Sequence, residues 1–319
     1  MLLRLAARLI PVFSFLTIAF AGSPAKPLRI ASFNLEWLVA SANETDMAPW
    51  HDETALEKHR RNLARILADD VHADIVCVLE STSQLALEKL VAEPKLKPLH
   101  YRIYHLESED VTTGQDVAFL VRVPLDRVDG NEINDFRTNS RNGSRDPLTK
   151  RAVIYLTSGK LKLGLLGMHL LAHPDDAKRT RKREAQAKVA AQIVRDDIVA
   201  KGYMPIVLGD FNDFDSDVKG PGNEPHRKVL HILKDFDPEK SGDELFNAAE
   251  KIQPASARYS AYWDLNKDEK WDDNEPRSML DHILLDQSLK RRLLTVKILH
   301  VPSDGSVSDH WPVVVDLKR

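Results

Sequence analysis

Cysteine is almost absent from this sequence. Its one copy, Cys77, lies in the apolar run from Asp74 to Leu79, so no disulfide can form within the chain and stability has to come from core burial. No stretch rich in Pro, Gly and Ser divides the 319 residues, which sets aside two linked domains in favour of one. Internal repeats are also missing. Positive charge is not in excess, with 45 Lys and Arg against 48 Asp and Glu. That balance argues against a broad electrostatic grip on nucleic acid and leaves room for a local basic channel. Beyond the N-terminus no apolar run is long enough to cross a bilayer, so no stable membrane insertion is expected.

What is present begins with Arg4 and Arg8, an apolar stretch from Leu9 to Phe20, and Ala19-Phe20-Ala21 ahead of Gly22. Charged start, apolar middle and small-x-small end predict an export signal over residues 1–21 and a mature domain over 22–319. The stretch is short for a membrane anchor and Pro11 interrupts it. The expected destination is outside the cell or the periplasm. Losing Arg4 and Arg8 leaves 43 Lys and Arg against 48 Asp and Glu, a net charge of −5.

Apolar strand-like runs then alternate with helical patterns. Strands are predicted at Leu28 to Leu38, Ala73 to Glu80, Val117 to Arg122, Arg151 to Thr157, Leu161 to Leu170, Met204 to Phe211, Leu280 to Asp286, Leu294 to Val301 and Trp311 to Leu317. Glu53 to Asp70 places Leu56, Leu63, Ile66 and Leu67 on one helical face, and Arg179 to Lys201 does so with Ala187, Ala190, Val194 and Ile198. Gln84 to Glu93 and Glu224 to Asp235 are shorter helix candidates. Hairpin-length connections such as Thr157-Ser158-Gly159-Lys160 imply mixed sheets. The predicted fold is α/β, two packed mixed β-sheets flanked by helices in a four-layer sandwich.

Polar residues gather at the strand ends. Asn34 and Glu36 stand in Ser32-Phe33-Asn34-Leu35-Glu36-Trp37, and Glu80 and His169 each end a strand. Gly209-Asp210-Phe211-Asn212 closes another, Asp281 opens one, and Ser308-Asp309-His310 precedes the last. In this order the set resembles the endonuclease/exonuclease/phosphatase superfamily with its deoxyribonuclease-I-like fold, over about Leu28 to Leu317. Two departures stand out. That family usually carries Gln immediately before the metal-binding Glu, where this chain has Leu79. Its exonuclease III-like members tend to have tyrosine where this chain has His169, which makes the chain look more like the deoxyribonuclease, sphingomyelinase and phosphatase branches.

The resemblance implies the chemistry of each position. A phosphodiester resists water because it is anionic, so a hard divalent cation, a base for water and a proton donor are needed together. Glu36 and Glu80, with Asp309 nearby, are the implied carboxylate ligands of Mg²⁺ or Mn²⁺. Asp281 would hold one tautomer of His310 and stabilise its cation. Asp210 is the candidate base, with His310 as the other choice. His169 would donate to the transition state or leaving group, Asn212 and Asn34 would fix phosphate or ligand geometry, and Arg151 resembles a family arginine near the phosphate. Singly, each has a plainer role: Asn34 and Asn212 as turn residues, Glu80 as a helix cap, His169 and His310 as structural histidines. It is their joint occurrence in order that points to one shared site. His282 would face the opposite side of its strand and is left out.

Lys178-Arg179-Thr180-Arg181-Lys182-Arg183 follows the His169 strand, and Arg137, Arg141, Arg145, Lys150 and Arg151 stud the loop and strand before it. These clusters read either as contacts to a nucleic-acid backbone or as solvated polar surface. Asp264, Asn266, Asp268, Asp272 and Glu275 match positions 1, 3, 5, 9 and 12 of a calcium-binding loop. Glu269 stands where that loop needs glycine and Pro276 follows, so an acidic hairpin tip is the competing reading. The functional expectation is an exported metal-dependent phosphoesterase acting on nucleic acid. A phosphatase or sphingomyelinase-like lipid phosphodiesterase is the alternative, and a non-catalytic binding module a third.

Overall fold

The computed structural model describes residues 26–137, 146–222, 228–266, 271–272, 274–301 and 307–319. Two six-stranded sheets dominate it. The first runs, in spatial order, β13 (Leu293–Ile298), β14 (Val313–Leu317), β1 (Leu28–Leu38), β2 (Ile75–Ser81), β4 (Asp116–Val121) and β3 (Arg102–His105). The second runs β5 (Ile133–Asn134), β6 (Arg151–Ser158), β7 (Leu161–His169), β8 (Met204–Asp210), β12 (Asp281–Asp286) and β9 (Leu245–Asn247). A hairpin of β10 (Ala261–Tyr262) and β11 (Arg277–Ser278) stands apart. Among the described residues only β1 with β2 and β7 with β8 pair in parallel. Both sheets are therefore mixed, as the hairpin-length connections required.

Period-two alternation builds three apolar layers. Leu28 and Ile30 of β1, Ile75 and Cys77 of β2 and Phe119 of β4 meet Ile154 of β6, Leu165 of β7, Leu208 of β8 and Ile283 of β12 between the sheets. The alternate residues Phe33, Val76 and Val78 face outward, against Leu63 and Ala64 of α1 (Glu53–Arg65) and Leu87 and Leu90 of α2 (Gln84–Val91). On the other side Tyr155, Leu166 and Val207 pack on Ala187 and Ala190 of α3 (Ala177–Ile193) and Leu230 and Leu233 of α4 (Val229–Lys234). Helix starts follow from capping side chains. Asp52 accepts from Ala55 N, Ser83 from Ala86 N, and Asp176 from Lys178 N and Arg179 N. The two long helices each end in a wider π-helical turn, Ile66–Val71 and Val194–Val199, so both extend about as far as their apolar stripes predict.

All nine predicted strands are present, and the five others among the described residues are short or at edges. Among the described residues no helix is long and apolar enough to cross a membrane. Residues 1–21, read as a signal, and residues 224–227 of the helix predicted over Glu224 to Asp235 lie outside the described residues.

The sheets lie close together at Gly167, where an added Cβ would lie 2.6 Å from Cys77 Sγ and 2.9 Å from Phe119 Cζ. Burial pushes the Cys77 thiol up, so it stays protonated and acts as a packing group. Gly167→Ala should destabilise the protein by about 1–3 kcal/mol through overpacking, with part of the loss recovered when Cys77→Ala is added. Chemical denaturation of the two variants measures this.

Candidate active site

The inward-facing rows of apolar residues end in polar ones at a single edge. On β7 the row Leu163, Leu165, Gly167 finishes at His169, on β8 Ile206 and Leu208 finish at Asp210, and on the antiparallel β12 Asp281 precedes Ile283 and Leu285. Pairing register places His169 beside Asp210, and Asp210 beside Asp281. Three neighbouring strands thus present three titratable groups side by side. On β1 the same alternation carries Ile30 through Ser32 to Asn34.

Glu80 falls out of phase with this rule, because Leu79 before it occupies the inward row. The backbone corrects the phase. Glu80 has a left-handed φ of 64°, and the pairing of β2 with β4 skips from Leu79 to Ser81. Glu36, Trp37 and Asn212 are also left-handed, at φ 49°, 54° and 47°. Non-glycine residues rarely adopt such φ values, and their concentration at one edge is typical of functional sites.

Asn34 is the central tie. Its Nδ2 donates to Glu80 Oε1 at 2.9 Å and to Asp210 Oδ2 at 3.3 Å, while its Oδ1 accepts from Glu36 N at 3.0 Å. Glu80 Oε2 accepts from Trp37 N at 3.2 Å and from Gln115 Nε2 at 2.8 Å. Asn212 donates to both oxygens of Asp210, N to Oδ1 at 2.8 Å and Nδ2 to Oδ2 at 3.1 Å. His310 Nδ1 lies 2.7 Å from Asp281 Oδ2, which also accepts from Ser260 Oγ at 2.8 Å. With Nδ1 held there, His310 Nε2 faces the site, 3.8 Å from Asp210 Oδ2. His169 Nε2 is 3.6 Å from the same oxygen and 3.8 Å from Glu80 Oε1. Asp309 N donates to Glu36 Oε2 at 3.1 Å.

Burial and crowding set the protonation states. Burial pushes Asp210 up to about 7, Asp281 and Glu80 adding to the rise while His310 and the Asn212 N–H oppose it. Glu36 is raised well above the usual carboxylate range, by burial first and then by Asp309 and Glu80. Burial holds His169 well below 6.5, helped by Lys150 and His310, so its ring is neutral. Burial would also lower His310, but Asp281, Asp309 and Asp210 outweigh it and hold the ring well above 6.5. The site therefore pairs a neutral imidazole with a cationic one. Its atoms form two compact groups in which all candidate ligand atoms lie within 4.8 Å of one another: Glu80, His169 and Asp210, and Asp210, Asp281 and His310. Glu36 and Asp309 adjoin these and line, with Trp50, Tyr262, Trp263, Asp264 and Val307, a cavity of about 220 Å³.

The structure thus brings together Asn34, Glu36, Glu80, His169, Asp210, Asn212, Asp281, Asp309 and His310. Arg151 is a correction: its side chain is fully buried, paired at 2.8 Å with Asp146 and bonded to the carbonyls of Leu148 and Asp135. It fixes the segment before β6, and its guanidinium is enclosed there rather than open to a phosphate. Arg183, inside the basic cluster, is likewise buried, bonded to Asp213 and to the carbonyls of Leu171, His173 and Pro174. Arg141, Arg145 and Asp268 lie outside the described residues. In the acidic hairpin Glu275 accepts from Leu265 N and Asp272 N, and Asn266 donates to Asp272, so these groups brace the loop. His282 faces away, between Asn247 and Asp213 O. Gln115, whose amide reaches Glu80, was not foreseen. The missing Gln before Glu80 was the one hint that a donor had to come from elsewhere.

The sequence model of the Endonuclease/Exonuclease/phosphatase family matches residues 31–310. No curated protein matches the chain. Three similar solved structures each have 92% of this chain covered. They are an AP endonuclease from Archaeoglobus fulgidus (16% identity, TM-score 0.60, all of that chain), the 3′-5′ exonuclease NExo from Neisseria meningitidis (18%, 0.59, all of that chain) and D. rerio TDP2 complexed with single-strand DNA product (17%, 0.58, 99% of that chain).

Asp281→Asn tests the central ion pair. Because His310 is raised in the folded protein, its contribution to stability is full below about pH 6.5 and fades as pH rises through the folded value. The variant should therefore lose most stability in acid, and the loss should shrink toward alkaline pH. The NMR titration of the His310 ring should move to lower pH.

Proposed function

We propose, for a chain that belongs to the Endonuclease/Exonuclease/phosphatase family, that it hydrolyses phosphodiester bonds in nucleic acid with the help of a divalent cation. Family members are hydrolases acting on phosphodiester bonds. The observation that supports this reading most is the cluster of carboxylates set against the Asp281–His310 pair at the shared edge of both sheets.

The residues fit a hard cation. Glu36, Glu80 and Asp309 offer oxygen donors of the kind Mg²⁺ and Mn²⁺ take, and the burial and mutual repulsion that together raise Glu36 are what a bound cation would offset. Such an ion withdraws charge from a phosphoryl oxygen. The protein's own groups do the rest. Asp210, with a pKa of about 7 and both oxygens fixed by Asn34 and Asn212, accepts a proton from the attacking water. His310, kept cationic by Asp281, directs an N–H at the charge developing on the phosphate. Neutral His169 supplies an N–H to the other side. On the same reading residues 1–21 direct export to the periplasm or the medium.

Nucleic acid is favoured over lipid or a small phosphomonoester by the cavity beside Glu36 and Asp309. Its walls include Trp50, Tyr262 and Trp263, and Trp263 is 61% exposed. Flat aromatic surface next to a phosphate-cleaving centre suits a nucleotide ring, since every base has a face that can stack.

Full chain lacking residues 1–21 should cleave oligonucleotides with Mg²⁺ or Mn²⁺ and stop on addition of EDTA. His310→Ala should lower kcat by about 100-fold or more while the melting temperature is kept. A parallel panel of 3′-phosphorylated oligonucleotide, p-nitrophenyl phosphate and sphingomyelin vesicles decides the substrate. Turnover of the last two alone would end the nuclease reading. Trp263→Ala should raise KM for single strands, in keeping with about 1–3 kcal/mol for one lost base stack, and leave kcat nearly unchanged.

A further inference from the structure

Glu80 carries two donors that the site itself provides, Asn34 Nδ2 and Trp37 N. The third comes from outside it. Gln115, immediately before β4 and 4% exposed, donates Nε2 to Glu80 Oε2 at 2.8 Å. Its other amide atom, Oε1, accepts from Lys150 Nζ at 3.0 Å. Lys150 is in turn anchored by Asp110 Oδ2 at 3.2 Å and Thr113 Oγ1 at 3.3 Å, and its carbonyl accepts from His169 N.

This chain has a direction. An amide between an ammonium and a carboxylate satisfies both only with its oxygen toward the lysine and its NH₂ toward the acid. Lys150 thereby fixes how Gln115 presents itself to Glu80. Position 79 cannot take this part, because Leu79 is fully buried in the layer between the sheets. Glu80 sits on a left-handed backbone, and without Gln115 its Oε2 would keep only the longer bond from Trp37 N at 3.2 Å.

We propose that Gln115, oriented by Lys150, is a positioning residue that fixes the Glu80 carboxylate for a divalent cation, replacing from the neighbouring strand a contact that Leu79 cannot make. The proposal rests on the reading that Glu80 holds the cation. Partners one step removed from a metal commonly change affinity 10- to 100-fold when lost.

The test is Mn²⁺ binding by the full chain, followed by electron paramagnetic resonance and titration calorimetry, alongside melting without metal and oligonucleotide cleavage. Gln115→Leu should weaken Mn²⁺ about 10- to 100-fold with little change in the metal-free melting temperature. Lys150→Met, which leaves Glu80 untouched, should weaken it less, and Lys150→Arg should restore most of the affinity. If Gln115→Leu does not fold, the two lysine variants decide the matter. Mn²⁺ affinity unchanged in the folded variants overturns the proposal and leaves the nuclease reading intact. A wild-type chain that binds Mn²⁺ in a Gln115-dependent way yet leaves nucleic acid whole supports the proposal and ends the nuclease reading. A wild-type chain that binds no Mn²⁺ overturns it together with the cation role of Glu80.

Discussion

One amide nitrogen holds the two sheets' polar ends in register. Asn34 belongs to the first sheet, and its Nδ2 reaches Glu80 in the same sheet and Asp210 in the second. His310 with Asp281 is a second tie of this kind, again one residue from the segment leading into the first sheet and one from the second. Both ties are buried, where a polar group left without a partner is costly. The sheets therefore cannot slide past each other without breaking them. The apolar layer supplies the attraction between the sheets, and these bonds specify the offset.

That offset matters because the site is assembled by strand phase. Once Leu165, Leu208 and Ile283 face the inner layer, the period of two obliges His169, Asp210 and Asp281 to face it as well. They end up buried at the mouth because the core is buried. Glu80 and Glu36 obey a different constraint. They reach the site by leaving the extended conformation, at φ values of 64° and 49°, and such backbones persist only where surrounding contacts over-determine them. The bonds from Asn34 and from Trp37 N are those contacts, which ties the strained part of the site to the unstrained part.

The same reasoning explains what could be read from sequence. Long runs such as Pro205 to Leu208 announce core strands, and a polar residue at the end of such a run inherits its face, so His169, Asp210 and Asp281 were legible by phase, while Glu36 and Glu80 were legible only through the order of motifs that resembles the family's. Short β5, β10 and β11, of two residues each, carry no alternation to read. Arg151 misled because charge is visible in a sequence and its partner is not: Asp146, five residues away, claims the guanidinium. Gln115 was invisible for the opposite reason. Its position before β4 acquires meaning only when β4 pairs beside β2, a long-range fact. Lys178 to Arg183 divides along its own helix, because Arg183 turns inward to Asp213 and its neighbours remain on the surface.

The charge balance of the edge is the remaining constraint. Glu36, Glu80, Asp210, Asp281 and Asp309 converge there, and His310 is the cationic ring among them. The nearby basic side chains are committed: Arg151 to Asp146, Arg183 to Asp213 and Lys150 to Asp110. An array of this sign repels a phosphate rather than attracting it. Burial, with the neighbouring acids adding to it, raises Asp210 to about 7 and raises Glu36 too, and the protonation this favours relieves part of the excess. A protonated Asp210 cannot accept a proton from water, however, so that relief works against the proposed chemistry. On the proposed reading a divalent cation held by Glu36, Glu80 and Asp309 would resolve the conflict, because its charge would offset the carboxylates, favour the basic form of Asp210 and make the field less repulsive to an approaching phosphate. The fold thus arranges acids that are poorly accommodated alone, and on the proposed reading that discomfort is what a metal and an anionic substrate together remove.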